Sequence, residues 1–223
     1  LLLDHVAHFV PRLGEAARAL EALGFAVTPE SVHQTQDGPA GTSNVCVMLE
    51  HGYLEILTPD SATPGADTPN ARRVRASMQR YCGVHLACFG TPDAEGEQAR
   101  LQAHGFEPQP LVQLNRRVPT GEMARFSVAM PSVEAMSEGR IQFVQHHTPE
   151  VLWRPQHLGH TNNVVKLACV FVVADDPVAA GARWAEFAAL LPRPAGAFVH
   201  LPCARGHVLI GKRESWGSLL GDA

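Results

Sequence analysis

Residues 3–9 read Leu3-Asp4-His5-Val6-Ala7-His8-Phe9, and residues 83–89 read Gly83-Val84-His85-Leu86-Ala87-Cys88-Phe89. Each run is apolar and β-prone, carries a histidine and is followed by a proline, Pro11 or Pro92. Each then leads into a stretch of helical spacing that leaves through Gly-Phe, at Gly24-Phe25 and at Gly105-Phe106. A strand, a proline-led helix and a glycine exit that recur at matching spacing are one supersecondary unit used twice. The blocks also close alike, Tyr53-Leu54-Glu55-Ile56-Leu57-Thr58-Pro59 against Phe143-Val144-Gln145-His146-His147-Thr148-Pro149. Matching the histidines and the Thr-Pro pairs sets His5 against His85, Tyr53 against Phe143 and Glu55 against Gln145.

Periodicity and turn residues fill in the unit. A strand over 6–10, a helix over 14–23 ended by Gly24, and strands over 25–28, 44–49 and 52–57 make the order βαβββ. The second block repeats it, with a strand over 84–89, a helix over 93–104 and strands near 111–115, 124–130 and 140–146. The expected fold class is α+β: tandem βαβββ modules, over 1–59 and 80–150, forming a cupped mixed sheet. Between them, residues 60–79 begin rich in Pro, Gly, Asp and Thr and read as a linker or lid. Residues 151–223 read as a partial third module of βαβ type. There Lys166-Leu167-Ala168-Cys169-Val170 matches the start of block two, with Lys166 at the histidine position, and no carboxylate stands at the last-strand position. This third unit is expected to be structural, docking on the first two or pairing with a second copy of the chain as a homodimer.

On these residues the chain resembles the vicinal oxygen chelate superfamily, whose paired βαβββ modules cup one divalent metal and which includes glyoxalase I, ring-cleaving dioxygenases, epimerases and resistance proteins. Within it, Leu3-Asp4-His5-Val6, Gly41-Thr42-Ser43-Asn44, Tyr53-Leu54-Glu55-Ile56 and His160-Thr161-Asn162 resemble the glyoxalase-like domain group. The resemblance implies metal ligands at the first and last strands of each module, which fall on His5, Glu55, His85 and Gln145. It also implies a divalent ion, zinc, nickel, iron, manganese or cobalt, and a small oxygenated substrate chelated through adjacent oxygens in lyase or isomerase chemistry. The alternative is a metal-free module that sequesters a ligand, and a ring-cleaving dioxygenase is the third reading.

Two histidines and a carboxylate leave coordination positions open for substrate and water, and a carboxamide adds a weak neutral donor. An ionised carboxylate flanked by apolar strand residues is costly unless paired or metal-bound, which singles out Glu55 as a catalytic group. Side chains alternate along a strand, so Tyr53 is expected in the cup with His5 and Glu55, while His8 points away. The same count puts Phe143 and His147 inside with Gln145, and His146 outside. His147 is then a candidate acid or base, and Tyr53, Asn44 and Phe143 are candidate substrate-lining residues.

A net charge of −4 over 223 residues gives no basic footprint for nucleic acid. Arg72-Arg73-Val74-Arg75 and Arg116-Arg117 are the clusters of positive charge, read either as a solvated face or as a clamp for an anionic substrate. No run approaches the ~18 apolar residues of a membrane span, and Leu1-Leu2-Leu3-Asp4 lacks a basic leader, so no membrane partner and a cytoplasmic location are expected. Five cysteines without Cys-x-x-Cys spacing make neither a disulfide framework nor a zinc ribbon.

Overall fold

Strand β1 (Leu2–Phe9) is followed by helix α1 (Leu13–Ala22) and strands β2 (Ser31–Thr35), β3 (Gly38–Met48) and β4 (Tyr53–Pro59). The second module is β5 (Gly83–Gly90), α3 (Ala94–Ala103), β6 (Val112–Arg117), β7 (Met123–Ala129) and β8 (Arg140–His146), with helix α2 (Pro69–Arg80) between the modules. The computed structural model describes residues 1–59, 67–118 and 120–220. In each module the first strand pairs parallel with the last, and the others add antiparallel outward. The modules join twice, through β1 with β5 and β2 with β6, which closes the sheet into a barrel in the order β1-β4-β3-β2-β6-β7-β8-β5. Closure removes the free edges that two separate sheets would expose.

The β1·β5 pair carries the relation between the modules. It is antiparallel, with Val6 opposite Ala87, His5 opposite Cys88 and Ala7 opposite Leu86. The register slips at Asp4 on one strand and at His85 on the other. Each slip leaves one extra residue bulged, and the two bulges are equivalent about the centre of the pair. Asp4 is therefore the counterpart of His85, and His5 that of Leu86.

Part of the stretch expected as a linker is outside the described residues, at 60–66; the rest, Pro69–Arg80, is helix. Pro69 sits in the first turn, where its missing N–H costs nothing, and the Thr68 hydroxyl caps the helix by accepting from Ala71 N at 3.1 Å. Val74 and Ala71 are buried, and Val74 joins Phe9, Leu57 and Leu86 in one apolar cluster. The helix is thus a wall of the barrel mouth rather than a tether.

The third unit has the element order of the other two, cut short at its second strand. Strand β9 (Cys169–Val173), helix α4 (Pro177–Ala188) and strands β10 (Arg193–Ala195), β11 (Phe198–Pro202) and β12 (His207–Gly211) pair in the order β10-β11-β12-β9, with β12 parallel to β9. That is the pairing of the other two modules, with β10 cut to three residues. Helix α5 (Arg213–Leu220) follows, and its Trp216 ring lies on Phe171 and Phe198. The unit docks on the barrel's outer face: Phe187 of α4 stacks on Phe143 of β8 with centroids 4.7 Å apart and meets Phe106 edge-on. These rings and Phe89 share the largest buried cluster, and each such ring stabilises by about 1.5–3 kcal/mol through burial. No helix among the described residues is long and apolar enough to cross a membrane.

Candidate functional site

The barrel encloses a cavity of about 470 Å³ whose walls all come from the first two modules and α2. That volume is in the range of small-molecule sites. His5, Tyr53 and Glu55 line one side, and Val128, Val144 and Phe126 give the other an apolar surface. Alternation along β1 and β4 explains the first side, since His5, Tyr53 and Glu55 share a face and His8 lies on the opposite one.

Glu55 is the centre of a buried polar network. Its Oε1 accepts from Asn44 Nδ2 at 2.6 Å, and its Oε2 lies 4.0 Å from His5 Nε2. Asn44 Oδ1 in turn accepts from Arg116 at 3.0 Å, which fixes the amide orientation. His33 Nε2 stands 3.5 Å from Glu55 and 3.1 Å from Asn44 Nδ2, while its Nδ1 faces the Thr42 hydroxyl at 2.9 Å. Burial pushes the Glu55 carboxyl up, but His33, His5, Asn44 and Arg116 outweigh it and hold it below its ordinary value. His33 is driven down to about 4, by burial first, and is a neutral imidazole at neutral pH.

His5 is held from behind. Its Nδ1 meets Asp4 Oδ1 at 2.7 Å, and its ring stacks on Tyr53 with centroids 4.3 Å apart. The bulge at Asp4 turns that carboxylate under the ring, where His146 Nε2 also reaches it at 3.1 Å. The turn before β4 supports the bulge: Gly52 has φ +94°, and a Cβ there would come within 2.7 Å of Asp4 O. Asp4 is buried, yet its two histidine partners hold it well below the carboxylate range. Burial opposes a charge on His5, but Cys88 and Asp4 raise it well above the ordinary imidazole value. His5 and Glu55 thus stand 4.0 Å apart, both turned to the cavity, with Asp4 favouring a proton on the imidazole and Asn44 and Arg116 favouring the carboxylate.

Of the four expected ligands, His5 and Glu55 come together and the other two do not. His85 is the bulged residue of β5; its Nε2 donates to Tyr81 O at 2.8 Å, and its ring lies between Tyr81 and Phe9. Gln145 faces outward, where its amide accepts from Ala94 N and donates to Pro92 O, tying the start of α3 to the strand. The counterparts of His5 and Glu55 are Leu86 and Gln142, because Leu86 pairs with Arg140 and Cys88 with Gln142 as His5 pairs with Tyr53 and Ala7 with Glu55. Both Leu86 and Gln142 line the cavity. Alternation along β8 is thus opposite to that expected. Phe143 is in the outer core with Phe187, and His147 meets the Ser127 hydroxyl at 2.7 Å away from the cavity, while His146 points inward. Tyr53 lines the cavity, and Asn44 lies behind Glu55.

The donor set at the four positions is His5, Glu55, Leu86 and Gln142. An alkyl side chain offers no donor and a carboxamide a weak one. Among the described residues no group of three or more His, Cys, Asp or Glu is placed to hold a metal ion. The residues do not fit the divalent metal that the resemblance implies.

Asp4, His33, Arg116, Arg140 and Gln142 complete the site beyond the residues picked from sequence. Asp4 stands beside His5 and Arg116 is in a noted cluster, so both were legible as candidates; His33 and Gln142 become so only once strand register is known. His160 is a clamp, not a substrate contact, with Nε2 donating to Met48 O at 2.7 Å and Nδ1 accepting from Ala26 N at 2.9 Å.

The family model described as glyoxalase-like domain matches residues 3–188. A comparison with curated proteins gives no match. Among solved structures, a hypothetical protein from Staphylococcus aureus superposes with a TM-score of 0.72 at 15% identity, over 94% of this chain and 85% of that one. A triple mutant of 4-hydroxymandelate synthase from Streptomyces coelicolor gives a TM-score of 0.53 at 16% identity, over 94% of this chain and 62% of that one. A variant of Streptomyces coelicolor methylmalonyl-CoA epimerase in complex with 2-nitronate-propionyl-CoA gives 0.45 at 20% identity, over 66% and 97%. At these identities the likeness is one of fold.

Proposed function

Because the chain belongs to the glyoxalase-like domain family, we propose that it is an enzyme of lyase or isomerase type that moves a proton on a small oxygenated substrate, with Glu55 and His5 as its acid–base pair. The observation that supports this most is the buried Glu55 standing 4.0 Å from His5 at one cavity wall, with Asn44 donating to the carboxylate and Asp4 accepting from the far side of the imidazole. Glu55 is placed to take a proton from carbon next to a carbonyl. His5 donates a hydrogen bond to the oxygen on which negative charge then develops. Asp4 keeps His5 protonated and oriented, and Asn44 and Arg116 keep Glu55 ionised before substrate arrives. Tyr53, stacked on His5, holds the imidazole plane. For zinc, nickel, iron, manganese or cobalt, His5, Glu55 and the neighbouring His33 are the good donors lining the cavity, but they are not placed as a three-ligand group among the described residues, so no step is assigned to a metal. The same pair argues against simple sequestration, which needs no buried charge at the bottom of its pocket.

The test is deuterium incorporation from D2O into a panel of small 2-oxo and 2-hydroxy acids and their esters, in the presence of EDTA. Wild-type protein is expected to exchange the α-hydrogen of at least one class, and Glu55→Gln to lose about 10²-fold or more. Exchange that requires added metal, or that survives Glu55→Gln, contradicts the reading.

A further inference from the structure

Arg140 of β8 and Arg73 of α2 face the same cavity as Glu55, and both also line an adjoining recess of about 240 Å³ at its mouth. Arg80, about two helical turns beyond Arg73, lines that recess as well. Most arginines of this chain that approach a carboxylate do so outside the cavity: Arg12 with Glu15, Arg72 with Asp67, Arg100 with Glu97, Arg154 with Glu122 and Arg183 with Glu138. Among the described residues neither Arg73 nor Arg140 makes an ion pair within 4 Å, although Glu55 at longer range favours the charge on Arg140, and each is only partly exposed. The cluster Arg72-Arg73-Val74-Arg75 is thus divided by the helix, with Arg72 outside on Asp67 and Arg73 turned inward.

Two cations on one cavity wall repel, and a recess shielded from water makes that repulsion stronger. Arg140 registers it: burial, and then Arg73, bring its value down to about 10. An anion held between the two guanidinium groups removes the conflict and takes charge-assisted, two-pronged hydrogen bonds. The whole cavity wall has the same bias, since Arg73, Arg116 and Arg140 stand against Glu55 and Asp37. Arg116 is already engaged by Asn44 and Cys46, which leaves Arg73 and Arg140 as the pair with free donors. The same cavity also carries an apolar surface of Val144, Val128 and Phe126.

We infer that Arg140 and Arg73 form a subsite for the carboxylate of an organic acid with an apolar body, whose other, oxygenated end reaches Glu55 and His5. This rests on the acid–base reading of the cavity for the second half of the statement, while the anion subsite stands on the arginines alone. A carboxylate suits the place because its planar pair of oxygens matches a guanidinium fork, and the apolar wall contributes through the body rather than the charge.

Binding of phenylacetate and of its neutral analogue phenylacetamide, measured calorimetrically on the wild-type protein and on Arg140→Gln, Arg73→Gln and Glu55→Gln, tests the subsite. Phenylacetate is expected to bind at least tenfold more tightly than the amide, to weaken at least tenfold in either arginine variant, and to bind no more weakly in Glu55→Gln. Equal binding of acid and amide, or phenylacetate binding unchanged in both arginine variants of native circular dichroism, overturns it. Should one arginine variant fail to fold, the other variant and the acid-to-amide ratio still decide. Charge-selective binding without any Glu55-dependent deuterium exchange keeps the subsite and removes the catalytic reading, whereas exchange without charge selectivity does the reverse.

Discussion

At the residue scale the Asp4–His5 contact has consequences for both rate and stability. With Glu55 required as carboxylate and His5 as imidazolium, activity should run flat across neutral pH. It should fall on the acid side below the usual carboxylate range, and on the alkaline side only above the usual imidazole value of about 6.5. In Asp4→Asn the alkaline limb should move down, because the carboxylate that favours the imidazolium is gone; a pH–rate profile of the two proteins reads this directly. The stability signs follow from the same shifts. Asp4, depressed in the fold, stabilises above its unfolded value of about 3.9 and loses that contribution as pH falls through its folded value. His5, raised in the fold, stabilises fully below about 6.5 and loses its contribution as pH rises through its folded value. The difference between wild type and Asp4→Asn in urea unfolding should therefore be greatest near pH 5 to 6, at about 3–5 kcal/mol, and shrink toward alkaline pH. A difference that grows with pH would mean that Asp4 and His5 are not coupled as the 2.7 Å contact implies.

At the scale of elements the decisive variable is strand register. Gly24 and Gly105, the two prolines and the alternating apolar runs made the βαβββ order legible, because turn chemistry and periodicity are local properties of the chain. His5, Glu55 and Tyr53 were legible for the same reason, since alternation within β1 and β4 needs no knowledge of the other module. His85 and Gln145 were not, because matching like residues across modules cannot see a bulge. His5 follows its bulged residue whereas His85 is the bulged residue itself, so matching the two histidines puts the correspondence off by one, and an offset of one changes the face of a side chain. The Thr-Pro ends misled in the same way, since Gln145 and the true counterpart Gln142 lie on opposite faces of β8. This assignment predicts that Leu86→His, by placing a third good donor beside His5 and Glu55, raises zinc retained after dialysis, while His85→Ala leaves it unchanged. The reverse pattern would restore the register read from residue identity. The shortness of β10 leaves the third module a reduced copy, and its docking depends on α4. Phe187→Ala should cost about 3–5 kcal/mol in denaturant unfolding, since the ring is fully buried against Phe143 and Phe106. A loss below ~1 kcal/mol would show that the third unit is held elsewhere.

At the scale of the whole molecule, closure of the first two modules makes a walled chamber, and the third module braces it from outside without lining it. At the four strand positions related by the two modules stand His5, Glu55, Leu86 and Gln142, all lining the cavity, with Arg73 and Arg140 on the same lining. In the proposed acid–base reading, His5 holds a proton and Glu55 takes one. The most direct test of that account is the 15N spectrum of the histidine side chains at pH 7, with His5 assigned by loss of its signal in His5→Gln, before and after one equivalent of zinc. Both ring nitrogens of His5 should carry the shifts of an imidazolium, and zinc should leave them in place. A neutral His5 whose nitrogen shifts on stoichiometric zinc binding would contradict the account.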